Sequence, residues 1–180
     1  GEAAFYAPKL DFMTNDSLGR EWQVATIQLD VNMPERFDLT CVNEKGENER
    51  IVMIHAAIMG SFERFLSVFI EHCSGKFPLW LSPVQVKVLP IGEAHFKYAK
   101  TVFEKLKAEN IRAELDDSNE SLGKKVRNAK TEKVPYVAVI GDKEVSEKKV
   151  TLESRDQGKL GEFDVSKLVS KLTEEIKSRA

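Results

Sequence analysis

The feature that most constrains this chain is a short segment with a proline near each end, Phe77-Pro78-Leu79-Trp80-Leu81-Ser82-Pro83. Proline lacks a backbone N–H and disfavours a helical conformation in the residue before it, so a helix cannot continue through this segment. The hydrophobic patterns on its two sides also differ. We therefore predict two domains, residues 1–80 and residues 81–180. Because the chain begins at Gly1 rather than at a methionine, we expect it to be part of a longer protein.

The first region has the pattern of strands followed by one helix. Glu21–Asp30 mixes apolar residues with Gln and Thr, which is typical of a strand with one polar face. Arg50–Ile58 is a mostly continuous apolar run, as expected of a strand covered on both faces. Gly60 and a good helix N-cap, Ser61, follow, and apolar residues at helical spacing then predict a buried helix up to about Cys73.

The second region alternates strands with helices. The pattern predicts strands over residues 84–91, 111–115, 135–140 and 150–155. It predicts helices over residues 96–106 and 121–129, and a C-terminal helix that Asp164 caps. Such alternation favours a small mixed α/β sheet covered by helices.

Composition excludes several classes of protein. Hydrophobic residues make up 42% and charged residues 31%, as in soluble globular proteins, and no apolar run approaches the roughly 20 residues that cross a membrane. The two cysteines, Cys41 and Cys73, are far apart, which fits a reducing, cytoplasmic location. The net charge of −2 is not that of a non-specific nucleic-acid binder. Any RNA binding must therefore use a localised site.

His55 and Arg64 are the first candidates for a functional role. His55 lies in an apolar strand, so it is either a core histidine or a ligand, and alone it cannot make a zinc site, which needs about three protein ligands. Cys41 lacks supporting ligands and is not favoured as a partner. Arg64 begins an otherwise apolar helix. It either pairs with Glu63 or the sheet, or it contacts a phosphate or nucleotide, for which a guanidinium is well suited.

A second candidate is the polar side of Glu21–Asp30. Gln23, Thr26 and Gln28 are uncharged hydrogen-bonding residues in a hydrophobic strand, which fits the floor of a site for a small polar ligand. The alternative is a strand face exposed to water. Tyr6 and Lys9 could line the same floor.

Several longer runs together resemble threonyl-tRNA synthetases, a family of class II aminoacyl-tRNA synthetases. They are G-E-A-A-F-Y-A-P-K-L-D-F (1–12), W-Q-V-A-T-I-Q-L-D (22–30), I-H-A-A-I-M-G-S-F-E-R-F (54–65), F-P-L-W-L-S-P-V-Q-V (77–86) and V-P-Y-V-A-V-I-G-D-K-E-V (134–145). The third is similar to the strand–glycine–helix element called motif 3, and the last two are similar to the anticodon-binding domain and the join to it. The match covers essentially the whole chain.

The resemblance implies a fold and an activity. Residues 1–80 would be the C-terminal part of a class II catalytic domain, with its antiparallel sheet and motif 3 helix, and residues 81–180 the anticodon-binding domain. The activity would be ATP-dependent attachment of threonine to tRNA(Thr) through threonyl-adenylate. ATP, Mg²⁺ and Zn²⁺ are the implied cofactors. The family is homodimeric and has no membrane part.

Site residues of the catalytic half follow from the same resemblance. His55 matches the third ligand of the zinc ion that recognises threonine, and Arg64 matches the arginine that holds ATP. Tyr6 would lie beside the threonine amino group, with Lys9 nearby. The residues that would form the floor under the adenylate are Gln23, Thr26 and Gln28.

In the second domain, four positions match residues that face the anticodon loop: Asn119, Arg127, Lys133 and Glu144. Unpaired bases are read on their edges and by stacking, so a few polar side chains suffice without a strong net charge.

The chain also departs from the family pattern. Alanine replaces glycine at Ala3 and Ala7, and Ala56 replaces the arginine that usually follows the zinc histidine. Glu153 stands where the family usually has an arginine near the anticodon. Because a carboxylate repels phosphate, we expect a weaker or reorganised anticodon contact there, with Arg155 partly substituting.

The remaining zinc ligands and the first two class II motifs lie upstream in the family and have no counterpart in these runs. We therefore expect the chain alone neither to bind zinc tightly nor to make threonyl-adenylate, and to expose an apolar patch. The family forms its dimer through catalytic-domain surfaces that are only partly present here, so a monomer and a dimer both stay open. An accessory RNA-binding module with a degenerate synthetase piece is the alternative, and a synthetase for another amino acid is a third hypothesis.

Overall fold

The computed structural model describes residues 7–179. Contacts divide the chain into two compact units, Gly1–Ser74 and Gly75–Ala180, and each is described separately. Among the described helices, none is long and apolar enough to cross a membrane.

The first unit contains a three-stranded antiparallel sheet in the order β1-β2-β5, a small hairpin of two strands and two helices. Its elements are β1 Lys9–Asn15, β2 Glu21–Asp30, α1 Asn32–Arg36, β3 Thr40–Val42, β4 Asn48–Arg50, β5 Met53–Ala57 and α2 Phe62–Cys73. The prediction for β2 is confirmed at both ends. Ser61 caps α2 as predicted, because its side chain accepts a hydrogen bond from the Arg64 amide at 3.4 Å.

The apolar segment before α2 is shorter and more exposed than predicted. Within it, β5 pairs only with β2 in the described sheet, and the side chain of Ile54 is 63% exposed. No α2 residue is fully buried either. Both predictions of complete burial were wrong, because residues 7–179 cover these apolar side chains only in part: Phe65 and Phe69 are half-buried, whereas Phe62 and Ile70 are exposed. The expected apolar surface is present here.

The second unit contains a five-stranded mixed sheet in the order β10-β9-β8-β6-β7. Its elements are β6 Val86–Pro90, α3 Glu93–Ala108, β7 Ala113–Leu115, α4 Leu122–Thr131, β8 Tyr136–Ile140, α5 Asp142–Glu147, β9 Lys149–Ser154, β10 Gly158–Asp164 and α6 Val165–Ser178. The predicted mixed α/β sheet is confirmed. The pattern missed β10 and α5. Asp164 occupies the N-cap position of α6, but its side chain makes no capping hydrogen bond.

Helices cover both faces of this sheet. The central strand β6 is parallel to β7 and β8, whereas β9 and β10 run antiparallel to their neighbours. Apolar residues of α3 and α6 pack on one face, around Val88 and Leu152. On the other face, α4 packs on Leu89 and Val137. Every residue of β6 is buried.

The proline-containing segment that follows Ser74 packs on the second unit. Leu79 is buried in its core, and the buried Gln85 side chain donates to the Leu79 carbonyl at 2.9 Å. Arg112 donates to the carbonyls of Ser82 and Trp80 at 2.9 and 2.8 Å. The contacts therefore divide the chain after residue 74, whereas the sequence pattern placed the domain boundary at residue 80.

Leu152→Ala should destabilise the second unit strongly. Leu152 is fully buried between the sheet and its helices, and a leucine-to-alanine cavity in a packed core costs about 2–5 kcal/mol. Leu81→Ala is the matched control, because Leu81 is 38% exposed and should cost less than about 1 kcal/mol. Urea unfolding followed by Trp80 fluorescence, in a Trp22→Phe background, measures the difference. Equal effects of the two substitutions would contradict this packing.

Candidate functional site

A polar face runs across the three-stranded sheet of the first unit. The backbone register aligns Lys9 with Gln28 and Gln28 with His55, so these three residues form one cross-strand row. Directly opposite residues of neighbouring strands have side chains on the same face, with Cβ atoms about 5 Å apart. The next row contains Asp11 and Thr26. Four candidate residues from three different strands therefore share one face.

A β-bulge adds Gln23 to the same face. If side chains alternated strictly along β2, Gln23 would lie on the other face of the sheet from Thr26 and Gln28, because it is an odd number of residues away from each. The register shifts between Phe12 and Met13, where one extra residue of β2 is accommodated, and a bulge of this kind reverses the alternation beyond it. The Gln23 side chain accordingly donates to the Asp11 carboxylate at 2.9 Å.

Asp11 links two of the candidate residues. Lys9 Nζ lies 2.8 Å from one of its oxygens, and Gln23 bonds the other. The hydrogen bond from Lys9 is the main cause that lowers the pKa of Asp11 below its ordinary value, so the carboxylate is ionised at neutral pH. Sequence reasoning missed Asp11. Its position two residues after Lys9 on a strand was the available signal, because such residues point to the same face.

Asp30 holds His55 in place. The Asp30 side chain is 2% exposed, and its Oδ2 lies 2.8 Å from His55 Nε2. Its Oδ1 accepts hydrogen bonds from the amides of Asn32 and Met33 at 3.0 and 2.9 Å. The Met33 amide, followed by His55, lowers the pKa of Asp30. Asp30 is thus a buried, ionised acceptor, and His55 Nε2 donates to it.

The His55–Asp30 pair is compatible with a metal ligand and its supporting carboxylate. Metal-binding histidines commonly donate their other ring nitrogen to a carboxylate, which orients the ring, and Asp30 is placed to do this. Within residues 7–179, no group of three or more His, Cys, Asp and Glu side chains could hold a metal ion. Cys41 lies exposed on β3. His55 therefore fits one position in a metal site.

Arg64 lies away from this polar face. It is exposed at the start of α2, and its Cζ lies 5.7 Å from the centre of the Trp22 ring, a cation–π contact. The Trp22 indole N–H donates to Asp16 Oδ2 at 2.8 Å. The predicted alternative of a salt bridge to Glu63 is absent, and Glu63 instead accepts from the Ser61 hydroxyl at 2.9 Å. Tyr6 lies outside the described residues.

In the second unit, the carboxyl ends of the parallel strands form a cleft. Its volume is about 430 Å³. Its two walls are Pro90–Glu93, at the end of β6, and Asp116–Glu120, after β7, and Phe96 and Lys125 also line it. The strands that flank β6 are reached by connections in opposite directions, and in α/β sheets ligands bind at such a point. Asn119 lies in the second wall.

Glu144 lies at the same edge of the sheet, in α5. Its Oε2 accepts from the Gly141 amide at 2.9 Å, and its Oε1 accepts from the Thr151 hydroxyl at 2.6 Å. Burial opposes ionisation of Glu144, but these hydrogen bonds outweigh it, and the pKa of Glu144 is lowered. Glu144 is therefore an ionised carboxylate in a fixed position.

Arg127 lies on α4, on the side that approaches β9. Residues three apart on a helix share a side, and Lys130, three positions after Arg127, places its Nζ 2.8 Å from Glu153 Oε1 on β9. Arg127 is exposed. The unexpected carboxylate at Glu153 is thus paired with a lysine from the neighbouring helix, which sequence reasoning did not anticipate.

Lys133 and Arg155 lie at the opposite edge of the sheet. Lys133 follows α4, and its carbonyl accepts from Arg155 Nη1 at 2.9 Å. The same guanidinium donates to the Phe77 carbonyl at 3.1 Å and pairs with Asp156 at 2.8 Å. The structure therefore brings Asn119 and Glu144 to one edge and Lys133 to the other. The Arg155 guanidinium is engaged in these contacts, and its expected part in anticodon binding stays a prediction.

Known proteins match both units. Residues 1–73 match the model for the tRNA synthetase class II core domain (G, H, P, S and T), and residues 85–175 match the model for the anticodon binding domain. A threonine–tRNA ligase of Caldanaerobacter subterraneus is 50% identical over 180 residues, 100% of this chain. A threonine–tRNA ligase of Clostridium tetani is 52% identical over 179 residues, 99% of it.

The chain belongs to the threonyl-tRNA synthetase family. It spans only 28% of the length of each of these two relatives. A solved structure, the RNA binding domain of a threonyl-tRNA synthetase from Cryptosporidium parvum, is 39% identical with a TM-score of 0.89, and the match covers 97% of this chain and 44% of that one. The predicted family and fold class, a class II synthetase sheet followed by a mixed-sheet anticodon-binding domain, are confirmed.

Asp30→Asn should weaken the acid dependence of the first unit's stability. The folded-state pKa of Asp30 is lowered, so its ionised form stabilises the fold above about pH 4, and this contribution is lost as pH falls through the folded pKa. The difference in unfolding free energy between the original chain and Asp30→Asn should thus be largest at neutral pH and shrink in acid. Trp22 fluorescence in a Trp80→Phe background follows the unfolding.

Asp38→Asn is the matched control, because the Asp38 side chain is exposed and pairs with Arg50 at the surface. It should leave the pH profile nearly unchanged. A difference for Asp30→Asn that does not vary with pH would rule out an ionised Asp30 as the source of this stability.

Proposed function

We propose that this chain provides part of the aminoacylation site and the anticodon-binding surface of an enzyme that attaches threonine to tRNA(Thr) with ATP. The observation that carries the proposal is the polar sheet face, on which Lys9, Gln28 and His55 lie in one row and Gln23 joins them through a bulge. The curated relatives that match the whole chain are threonine–tRNA ligases. A reducing, cytoplasmic location and a homodimeric parent enzyme are parts of the same proposal.

The sheet face would bind the reacting molecules by positioning them. Gln23, Thr26 and Gln28 would form the floor under the adenylate, with their amide and hydroxyl groups as hydrogen-bonding partners. The Asp11 carboxylate supports this arrangement, because it holds both Lys9 and Gln23. Tyr6 would lie beside the threonine amino group.

Arg64 would act on ATP, with Mg²⁺ as the metal partner of the phosphates. Its guanidinium stays charged and offers a rigid set of donors, so it would hold phosphate by electrostatic attraction rather than by proton transfer. The cation–π contact with Trp22 holds the guanidinium beside that ring, and Arg64 is exposed there, so its donors can reach a phosphate. Trp22 is itself held by Asp16.

His55 would be one ligand of a zinc ion, with Asp30 orienting its ring. When bound, zinc would recognise the amino and hydroxyl groups of threonine, and a site built for a hydroxyl rejects valine because valine leaves that site unsatisfied. The contribution of this chain would be to present one histidine nitrogen in a fixed orientation.

The second unit would recognise the anticodon. Asn119 and Glu144 lie at the same edge of the sheet, and Arg127 lies on the helix that begins beside that edge. An amide and a carboxylate can read base edges, and an arginine can hold phosphate or stack on a base. Lys133, at the other edge, stays a predicted contact. Such a localised site is compatible with the net charge of −2.

Arg127→Ala should weaken binding of an anticodon stem-loop of tRNA(Thr) to the 180-residue chain by about tenfold and reduce the salt dependence, because a phosphate or base contact is lost. Fluorescence anisotropy with labelled RNA measures this. Lys105→Ala is the control, since Lys105 belongs to α3 on the opposite face of the sheet. Equal losses for the two variants would argue for non-specific binding, and no binding by the original chain would refute the anticodon proposal.

We also propose that the chain alone does not make threonyl-adenylate. Within residues 7–179 no group of three or more His, Cys, Asp and Glu side chains could hold a metal ion, and the chain spans only 28% of a matching threonine–tRNA ligase. Threonine-dependent pyrophosphate exchange by the 180-residue chain should therefore remain at background. Exchange above background that the Gln28→Ala variant abolishes would overturn this proposal.

A further inference from the structure

Lys125 is a buried lysine beside the cleft of the second unit. It lies on α4 and is 3% exposed. Burying an ammonium group is costly unless it is hydrogen-bonded and its charge is paired. Neighbouring lysines of the same helix lie at the surface, as Lys124 does in its ion pair with Glu120. The surroundings of Lys125 should therefore explain why a charge is retained there.

The partners of Lys125 come from the ends of two neighbouring strands. Its Nζ donates to the carbonyl of Pro90, the last residue of β6, at 3.3 Å, and to the carbonyl of Asp116, just after β7, at 3.2 Å. The Asp116 carboxylate lies 3.7 Å away and balances the charge. One ammonium group thus connects α4 to the chain segments that leave β6 and β7.

Those two segments are the walls of the cleft. The first wall begins at Pro90, and the second begins at Asp116 and contains Asn119. Asp116 also shapes the second wall, because its Oδ1 accepts from the Ser118 amide and hydroxyl at 3.0 and 2.5 Å. Burial opposes ionisation of Asp116, but the bonds from Ser118 and the charge of Lys125 lower its pKa. The carboxylate is therefore ionised and links Lys125 to the turn before Asn119.

We propose that Lys125 is a positioning residue for RNA recognition, which fixes the distance between the two walls of the cleft and thereby the place of Asn119. This inference rests on the proposed function of the second unit. Lys125 also lines the cleft, but its side chain is only 4% exposed and its Nζ is bonded to the Pro90 and Asp116 carbonyls. It therefore acts through those carbonyls rather than by direct contact with the RNA. The site then needs a lysine here, since an apolar residue would fill the space but leave both walls without their common donor.

Lys125→Met tests the proposal, because methionine keeps the length of the side chain and removes the donors and the charge. Lys124→Met is the matched control on the same helix. Asp116→Asn is a second, milder variant that keeps the shape of the turn and removes the charge facing Lys125. Each 180-residue variant is measured by anisotropy with the anticodon stem-loop and by amide hydrogen exchange.

Lys125→Met should weaken RNA binding by about tenfold, the cost of losing one base contact. It should also raise amide exchange in residues 91–93 and 116–120, while β8 and β9 keep their protection. Asp116→Asn should show a smaller change in the same segments, and Lys124→Met should change neither quantity. Unaltered exchange in both walls for Lys125→Met, or lost protection throughout β8 and β9, would overturn the proposal, because Lys125 would then be dispensable or simply part of the core.

The two measurements also separate this proposal from the function on which it rests. If the original chain binds no RNA, the proposed anticodon function fails. The hydrogen-exchange result still decides whether Lys125 holds the two walls together.

Discussion

Complete burial of one strand, β6, is the constraint on which the second unit depends. A strand with no exposed residue must have pairing partners at both edges and apolar cover on both faces, because unpaired backbone groups and exposed apolar side chains are both costly there. The neighbours β7 and β8 pair with its two edges, and helices on the two faces of the sheet provide the apolar cover. Since these three strands are parallel, their carboxyl ends meet at one edge, and the cleft with Asn119 lies there.

Ionised carboxylates organise the polar regions of both units. Asp11 holds two candidate residues on the sheet face, Asp30 orients His55, and Asp116 connects the buried Lys125 to the turn of the cleft. The pKa of each of these carboxyls is lowered by its donors. In each case the carboxylate stays ionised because several hydrogen-bond donors converge on it. These donors include candidate site residues such as Lys9, Gln23 and His55.

Prediction from the sequence succeeded where the signal is local. The limits of β2, the Ser61 cap and the alternation of strands and helices after residue 84 all follow from spacing and from single residues, and the structure has them. Prediction of burial failed in the first unit. The apolar run that contains β5 was expected to be covered, yet it lies at the edge of the described sheet. Periodicity reports which residues are apolar, but whether anything covers them depends on residues distant in the chain.

The candidate site also has features that the sequence predicts and features that only the structure shows. By itself the sequence determined the family, the polar character of β2 and the identity of residues such as His55 and Arg64. The tertiary structure decided that a bulge turns Gln23 to the face of Gln28, that Arg64 lies on Trp22, that Lys130 pairs with Glu153, and that Lys125 is enclosed between two strand ends. These features depend on pairing register and on charges brought together from separate strands and helices. Neither is encoded in the spacing of residues along one element, because both arise only when the sheet and helices pack.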